Sequence, residues 1–454
     1  MRKKNQKQMP LIPPTVDHPH AMELKLISRI LDDISTINEL AWQELTQNVE
    51  NFGTGAEGMS AEQVVRCAIV KQMEDYSYDE LTFHIVDSSC YRSFCRIGIA
   101  HKGFKKSALC HNIKALSAAT WEAINRILLA YAKEKKIEKG REVRIDSTVV
   151  SSNIHTPSDS SLLWDAVRVL TRLLTQAKGQ FQGFDIPFTD HTKRAKRRMV
   201  AIMNAREKKS RTRHYLDLIK VTSKSLGYAH RAASFLTGYL SPDPAQMAMA
   251  QKMAQALHTY TQLTHRVIDQ TERRVIHGES VPASEKIVSL FEPHTDIIVK
   301  DHRDTFYGHK ICVTGGSSNL IVDCVICDGN PADTTLTDQM LDRQRDLYGS
   351  YPLKVALDGG FASKENLNSA KSKHIKDVCF AKKRGIEVEE MCRSQWVYRR
   401  LRRFRAGVES GISWLKRCFG LCRCIWKGLQ SFRSYVWASI VSANLLTLAR
   451  KEMA

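Results

Sequence analysis

Between two long stretches of helical pattern stands one segment of alternating pattern, REVRIDSTVVSSN, which begins at Arg141. Val143 and Ile145 fall on one side of an extended chain and Arg144, Asp146 and Thr148 on the other, because successive strand side chains point to opposite faces. A strand cannot stand alone in water, so its neighbours must be sought elsewhere in the chain. Upstream, the helical period runs from about Ala21 to Ile137, with Ser60 as a cap and a break from Asp75 to Tyr78. Downstream, a helix start at Pro157, Ser158 and Asp159 opens a helical stretch that continues with interruptions to about Asp269. Strand character returns at Tyr307 to Thr314 and Leu320 to Cys327, which flank the turn GGSSN and imply a hairpin. A helix capped at Asp333 and stopped at Gly349 follows. Then come a short buried strand ending on Asp358, a helix from about Ser363, the strand DVCFAKK and a basic helix. This order is a mixed α/β layout. It predicts a helical N-terminal domain over 1–138, a discontinuous α/β domain over 139–155 and 296–450, and a basic helical insertion over 156–295. The short successive helices of the first domain suggest a helix-turn-helix-like unit that contacts DNA.

The charge narrows the class of partner. The 454 residues carry a formal net charge of +20, spread along the chain, which points to a polyanion and first to nucleic acid. The insertion is the most one-sided region: Lys193 to Lys224 holds twelve Lys or Arg against Glu207 and Asp217. Phosphate binding is expected there, with Arg197 and Arg198 as contacts. Twelve cysteines follow no disulfide framework, and Pro10, Pro13 and Pro14 interrupt the place where a signal peptide needs its apolar core. The longest apolar stretch, Tyr435 to Ala449, is too short for a membrane span and reads as a buried C-terminal helix. A cytoplasmic protein is expected.

The last basic helix, RRLRRFRAGVESGISWLKR from Arg399 to Arg417, surrounds one acid, Glu409, with seven Arg or Lys. At about 100° per residue, Arg402, Arg405, Glu409 and Lys416 share a narrow face beside an apolar stripe of Leu401, Phe404, Val408, Ile412, Leu415 and Phe419. Glu409 is therefore expected at the margin of the buried side. Its i, i+4 pair with Arg405 is worth only about 0.2–0.5 kcal/mol. Asp146 and Asp358, each on a strand of one mixed sheet, can converge with it. Three gathered carboxylates repel one another, and divalent metal removes that conflict. Two ions about 3.5–4 Å apart can serve phosphodiester chemistry, with the basic residues holding the phosphates.

These residues carry a resemblance. RIDSTVV, VALDGGFAS and RAGVESGISWLKR, with Asp146, Asp358 and Glu409 in that order, resemble the DDE transposases of bacterial insertion sequences, whose core is an RNase H-like fold. The signature Tyr, two residues, Arg, three residues, Glu, six residues, Lys is matched by Arg405, Glu409 and Lys416, while Arg402 stands at the Tyr position. The tyrosine's role is then unfilled, or taken by Phe404 or Tyr398. VVSSNIHTPSDSSLLWDAVRVL and FYGHKICV are similar to the ISNCY group. The resemblance implies that Asp146, Asp358 and Glu409 are catalytic and bind two Mg²⁺ ions, with Mn²⁺ as a substitute, and that Arg405 and Lys416 contact DNA. It further implies terminal inverted repeats and target DNA as partners, an assembly of at least two copies on DNA, and hydrolysis followed by strand transfer. A non-catalytic DNA-binding repressor or decayed transposase, and an RNase H-like nuclease without strand transfer, are the competing readings.

Two further features belong to the hairpin and its surroundings. His309 and Lys310 are candidate phosphate contacts. Cys324 and Cys327 lack a second pair or a His at zinc-site spacing, and buried reduced thiols are expected.

Overall fold

The computed structural model describes residues 3–5, 16–47, 58–300 and 304–453; the Pro10, Pro13 and Pro14 stretch lies outside them. The chain divides into two compact units, one made of 1–153 with 308–454 and the other of 154–307.

The first unit starts with α1 (Pro19–Asp33), α2 (Thr36–Thr46), α3 (Ala61–Met73), α4 (Tyr78–Asp87), α5 (Ser89–Phe94), α6 (Lys106–Ala115) and α7 (Ala118–Glu134). Ser60 and Ser77 each close a capping box, Ser60 with Gln63 and Ser77 with Glu80, which satisfies the orphan amides that fix where α3 and α4 begin. Helix α3 is buried along nearly its whole length, against the C-terminal helix α16 (Leu429–Met453) among others. It has no solvent face to lay into a DNA groove.

The sheet is built from β1 (Glu142–Ser151), β3 (Asp304–Gly316), β4 (Ile321–Ile326), β5 (Lys354–Leu357) and β6 (Asp377–Phe380), and a further strand, β2 (Asp296–Lys300), belongs to the second unit. The strand order is β2-β3-β1-β5-β6, with β4 paired to β3. Strand β1 is antiparallel to β3 and parallel to β5, and β5 is parallel to β6. The hairpin of β3 and β4 is therefore joined to a parallel half through the one strand that the alternating pattern marks. One sheet face packs through Val150, Ile311 and Val313 on the core of α1, α3, α7 and α16. The other packs through Val143, Ile145 and Val355 on α12 (Thr337–Tyr348) and α13 (Lys364–Ser372), while α14 (Val388–Met391) leads to α15 (Gln395–Cys418), which lies over the Arg144 side of β1 with Phe404 and Gly407 against that guanidinium. The N-terminal helices thus share a core with the sheet.

Two contacts explain how this packing is closed. Gly308 passes so near β1 that an added Cβ would lie 2.0 Å from the Val150 carbonyl oxygen, which leaves glycine as the residue that fits. At β4, the Asn444 carboxamide accepts from the Ile321 amide (2.8 Å) and donates to the Ile321 carbonyl (2.8 Å) and to Asn125 (2.7 Å). Two buried asparagines on α16 and α7 thereby satisfy backbone groups that a strand edge would otherwise expose.

The second unit is helical: α8 (Asp159–Gln180), α9 (Thr192–Asn204), α10 (Lys208–Thr237) and α11 (Pro244–Thr271), the last running into a π-turn at Glu272–Ile276. Leu170, Leu174, Leu226 and Leu257 centre one core and Leu163, Val167, Leu218 and Val267 another. Among the described residues, no helix is long and apolar enough to cross a membrane.

Candidate active site

The parallel register of β1 and β5 pairs Ile145 with Leu357, so Asp146, midway along β1, stands level with Asp358 at the carboxyl end of β5. That end is where α/β sheets bind ligands. Asp146 is fixed further by its own chain, because its Oδ1 accepts from the Ser147 amide at 2.7 Å. Asp358 leads into the turn Gly359–Phe361, where a Cβ on Gly359 would lie 2.8 Å from the Lys382 side chain and one on Gly360 2.5 Å from Asp333 Oδ2. Helix α15 supplies the third acid. Its start is set by Ser394, whose side chain accepts from the Val397 amide, and Leu401, Val408 and Leu415 bury its apolar stripe.

The three acids meet on one guanidinium. Arg405 Nη2 lies 2.6 Å from Asp358 Oδ1 and 3.2 Å from Asp146 Oδ2, and Nη1 lies 2.7 Å from Glu409 Oε1. Arg405 and Asp146 are largely buried, at 14% and 13% side-chain exposure, whereas Glu409 keeps 60%. The expectation of a shielded Glu409 is thus corrected: it stands in water and touches the site through Arg405, because its position on α15 lies beyond the stripe that reaches the core. Three carboxylates share this one guanidinium. Beside them opens a cavity of about 450 Å³ lined by Asp146, Thr148, Glu409, Ile412, Lys416 and Arg417 among others.

The other sequence-predicted residues are distributed as follows. Lys416 lines that cavity, and Arg402 is exposed one turn before Arg405. Tyr398 is buried and its hydroxyl donates to the Phe380 carbonyl (3.1 Å), while the Phe404 ring lies under the Arg144 guanidinium (4.8 Å to centroid). Neither presents itself where the missing tyrosine would act. His309 and Lys310 are not surface contacts: both are buried in β3, His309 edge-on to Phe432 and Lys310 paired with Asp333 at 2.6 Å. Strand β3 has neighbours on both sides, so its residues have little access to solvent. In the second unit Arg197 is exposed on α9, whereas Arg198, with Arg194, is held by Asp217 of α10.

Arg144 stands on the side of β1 that alternation gives it, with Asp146, and α15 covers that side. It is only 6% exposed and donates to the Phe404 carbonyl (3.0 Å) and Asn319 (2.7 Å), and its burial pushes the guanidinium pKa down. Gly407 makes room for it, since a Cβ there would lie 2.0 Å from Arg144 Nη1. The sequence signal was available in that glycine, set in the middle of a helix where it costs about 1 kcal/mol relative to Ala.

The donor set is all carboxylate oxygen, the chemistry that Mg²⁺ and Mn²⁺ prefer. Among the described residues, however, no three His, Cys, Asp or Glu come together closely enough to hold a metal by themselves. The acids converge with Arg405 between them.

Against this geometry stand the comparisons. Residues 262–445 match the family model described as a transposase DDE domain, a span that includes Asp358 and Glu409 and less than half of the chain. No curated protein and no solved structure matches. The match supports a DDE transposase family, and the mixed sheet with its flanking helices is the RNase H-like architecture of such a domain.

Proposed function

We propose that this chain is a transposase that binds the ends of an insertion sequence and catalyses divalent-metal-dependent strand cleavage and strand transfer. The observation that supports this most is the meeting of Asp146, Asp358 and Glu409 on Arg405, from residues that lie far apart in sequence. Asp146, Asp358 and Glu409 would hold two Mg²⁺ or Mn²⁺ ions, which supply Lewis acidity at a phosphodiester and an activated water or hydroxyl. The chain's own contribution is placement. Strand β1 and the end of β5 fix the two aspartates, and α15 carries Glu409 together with Arg402, Arg405 and Lys416, which contact the phosphates of an element end. Arg197 of α9 contributes to DNA binding from the second unit. The partners are duplex DNA, as terminal inverted repeats and target, and further copies of the chain, because two ends must be cut and joined together. The ISNCY group is the proposed relative within the DDE transposases.

The test uses a labelled duplex taken from the DNA flanking the reading frame, with Mg²⁺ or Mn²⁺. Asp146→Ala, Asp358→Ala and Glu409→Ala should each abolish cleavage and leave duplex binding intact. Full cleavage by any of the three removes that residue from the site. Joined products separate a transposase from a nuclease that shares the same acids, and a wild-type chain that binds without cleaving would be a repressor.

A further inference from the structure

The long helix α10 carries seven Lys or Arg and a single acid, Asp217. That acid is already engaged by Arg194 and Arg198 of α9, an arrangement that ties the two helices together. Lys209, Arg213, Lys220, Lys224 and Arg231 fall within about 60° of one another at 100° per residue, and all five are exposed. Leu216, 52% exposed, lies among them. No carboxylate among the described residues pairs with any of the five, and the opposite side of α10 is closed by the cores of the second unit.

Such an arrangement is unfavourable by itself. Lys209 with Arg213 and Lys220 with Lys224 are like charges at i, i+4, each costing a few tenths of a kcal/mol in an isolated helix. A solvated helix face ordinarily intersperses acids to relieve this. An anionic partner relieves it instead, and the shape of the stripe says which. From Lys209 to Arg231 the row runs 22 residues, about 33 Å at 1.5 Å per residue, close to one turn of duplex DNA. A membrane-surface helix would turn an apolar face outward, and here that face is consumed by the core. The row itself is all Lys or Arg with no Asn or Gln exposed between them to read base edges, and only near Arg231 do rings join it, Tyr228 under the guanidinium (5.3 Å to centroid) and the exposed His230. Spaced along one straight face for a duplex turn, such cations follow the phosphate backbone, and contacts to phosphate carry no sequence information.

We infer that the exposed face of α10 is a second duplex-DNA interface, which grips the backbone of DNA of any sequence through Lys209, Arg213, Lys220, Lys224 and Arg231. Resting on the transposase reading, the duplex it takes is target DNA, the partner whose sequence varies from one insertion to the next. Its residues are other than Arg197 and those of α15 named above.

Fluorescence anisotropy of the full chain with two unrelated 25-bp duplexes, between 50 and 200 mM KCl, tests the interface. In the fourfold variant K209A/R213A/K220A/K224A the slope of log affinity against log salt should fall by about 3.6, at 0.9 per phosphate contact, and equally for both duplexes. The charge-retaining variant K209R/K220R/K224R should keep the wild-type slope, and circular dichroism melting confirms that each variant is folded. An unchanged slope in the alanine variant, or a loss confined to one duplex, overturns the proposal. The target assignment has its own readout: the alanine variant should still cleave an element-end duplex and fail to join it to a second DNA. Equal loss of both activities overturns the assignment to target. A wild-type chain that shows the salt-slope effect but never cleaves would retain the interface and remove the transposase reading.

Discussion

Two clusters of positive charge in this protein are arranged in opposite ways. On α15, Arg405 is surrounded by acids and spends its guanidinium on three of them. On α10, five cations stand in a row with the one acid of their helix turned to α9. A paired cation organises its own chain, whereas a row of unpaired cations in solvent is complementary to something outside. Lys71 marks the third possibility, a cation without a hydrogen-bond partner in the core. Its ammonium makes no hydrogen bond and faces the Tyr78 ring at 5.1 Å, and burial pushes its pKa down to about 8.

The largest effect that could break this comparison is at the acids. Asp358→Asn keeps the size of the side chain and removes its charge; cleavage of an element-end duplex should fall at least about 10³-fold, ~4 kcal/mol of barrier, with duplex affinity unchanged. Retained cleavage would mean that the cluster around Arg405 is only a structural ion network.

Lys71 tests whether burial alone decides the fate of an unpaired cation. Its pKa in the folded chain lies below the ordinary 10.5, so the unfolded chain binds more protons between about pH 8 and 10.5 and stability rises with pH across that window. Below pH 8 the full burial penalty applies. Lys71→Met should therefore be more stable than wild type at pH 7, by up to about 3 kcal/mol, and the difference should shrink toward pH 10.5. Urea denaturation of both proteins at several pH values reads this directly; a difference independent of pH would show that packing, and not charge, sets it.

Gly407→Ala asks how firmly the paired side is built. The new methyl must displace the Arg144 guanidinium, and a loss of about 1–3 kcal/mol in urea denaturation is expected. A neutral effect would mean that Arg144 has an alternative seat.

The smallest expected effect concerns Arg405 itself. Guanidinium and divalent ion compete for the same oxygens, so in Arg405→Gln the affinity of the DNA-free protein for Mn²⁺, followed by electron paramagnetic resonance, should rise about tenfold, ~1.4 kcal/mol. Weaker Mn²⁺ binding would show instead that the arginine is needed to hold the carboxylates in place.

Much of this architecture was legible from local chemistry. The alternation after Arg141 gave β1, the serines at 60 and 394 sit where helices begin, Gly349 ends α12 in a left-handed turn, and the GGSSN turn joins β3 to β4. The ordering of Asp146, Asp358 and Glu409 and their convergence were expected from sequence too, but their meeting on Arg405 was not. From sequence, Arg405 has one evident partner, Glu409 four residues on; its pairs with Asp146 and Asp358 exist only because β1 and β5 run side by side and α15 packs across them. For the same reason the burial of Arg144, His309 and Lys310 could not be read from alternation. Period 2 tells which residues share a face, and both faces of this sheet are covered.

The asparagine pair at Ile321 has a consequence for how copies of the chain can come together. With its amide and carbonyl already answered from within, the outer rim of the hairpin offers no template at that point for strand addition by a neighbouring molecule. A second copy docking along that rim would have to use side chains in place of backbone pairing there.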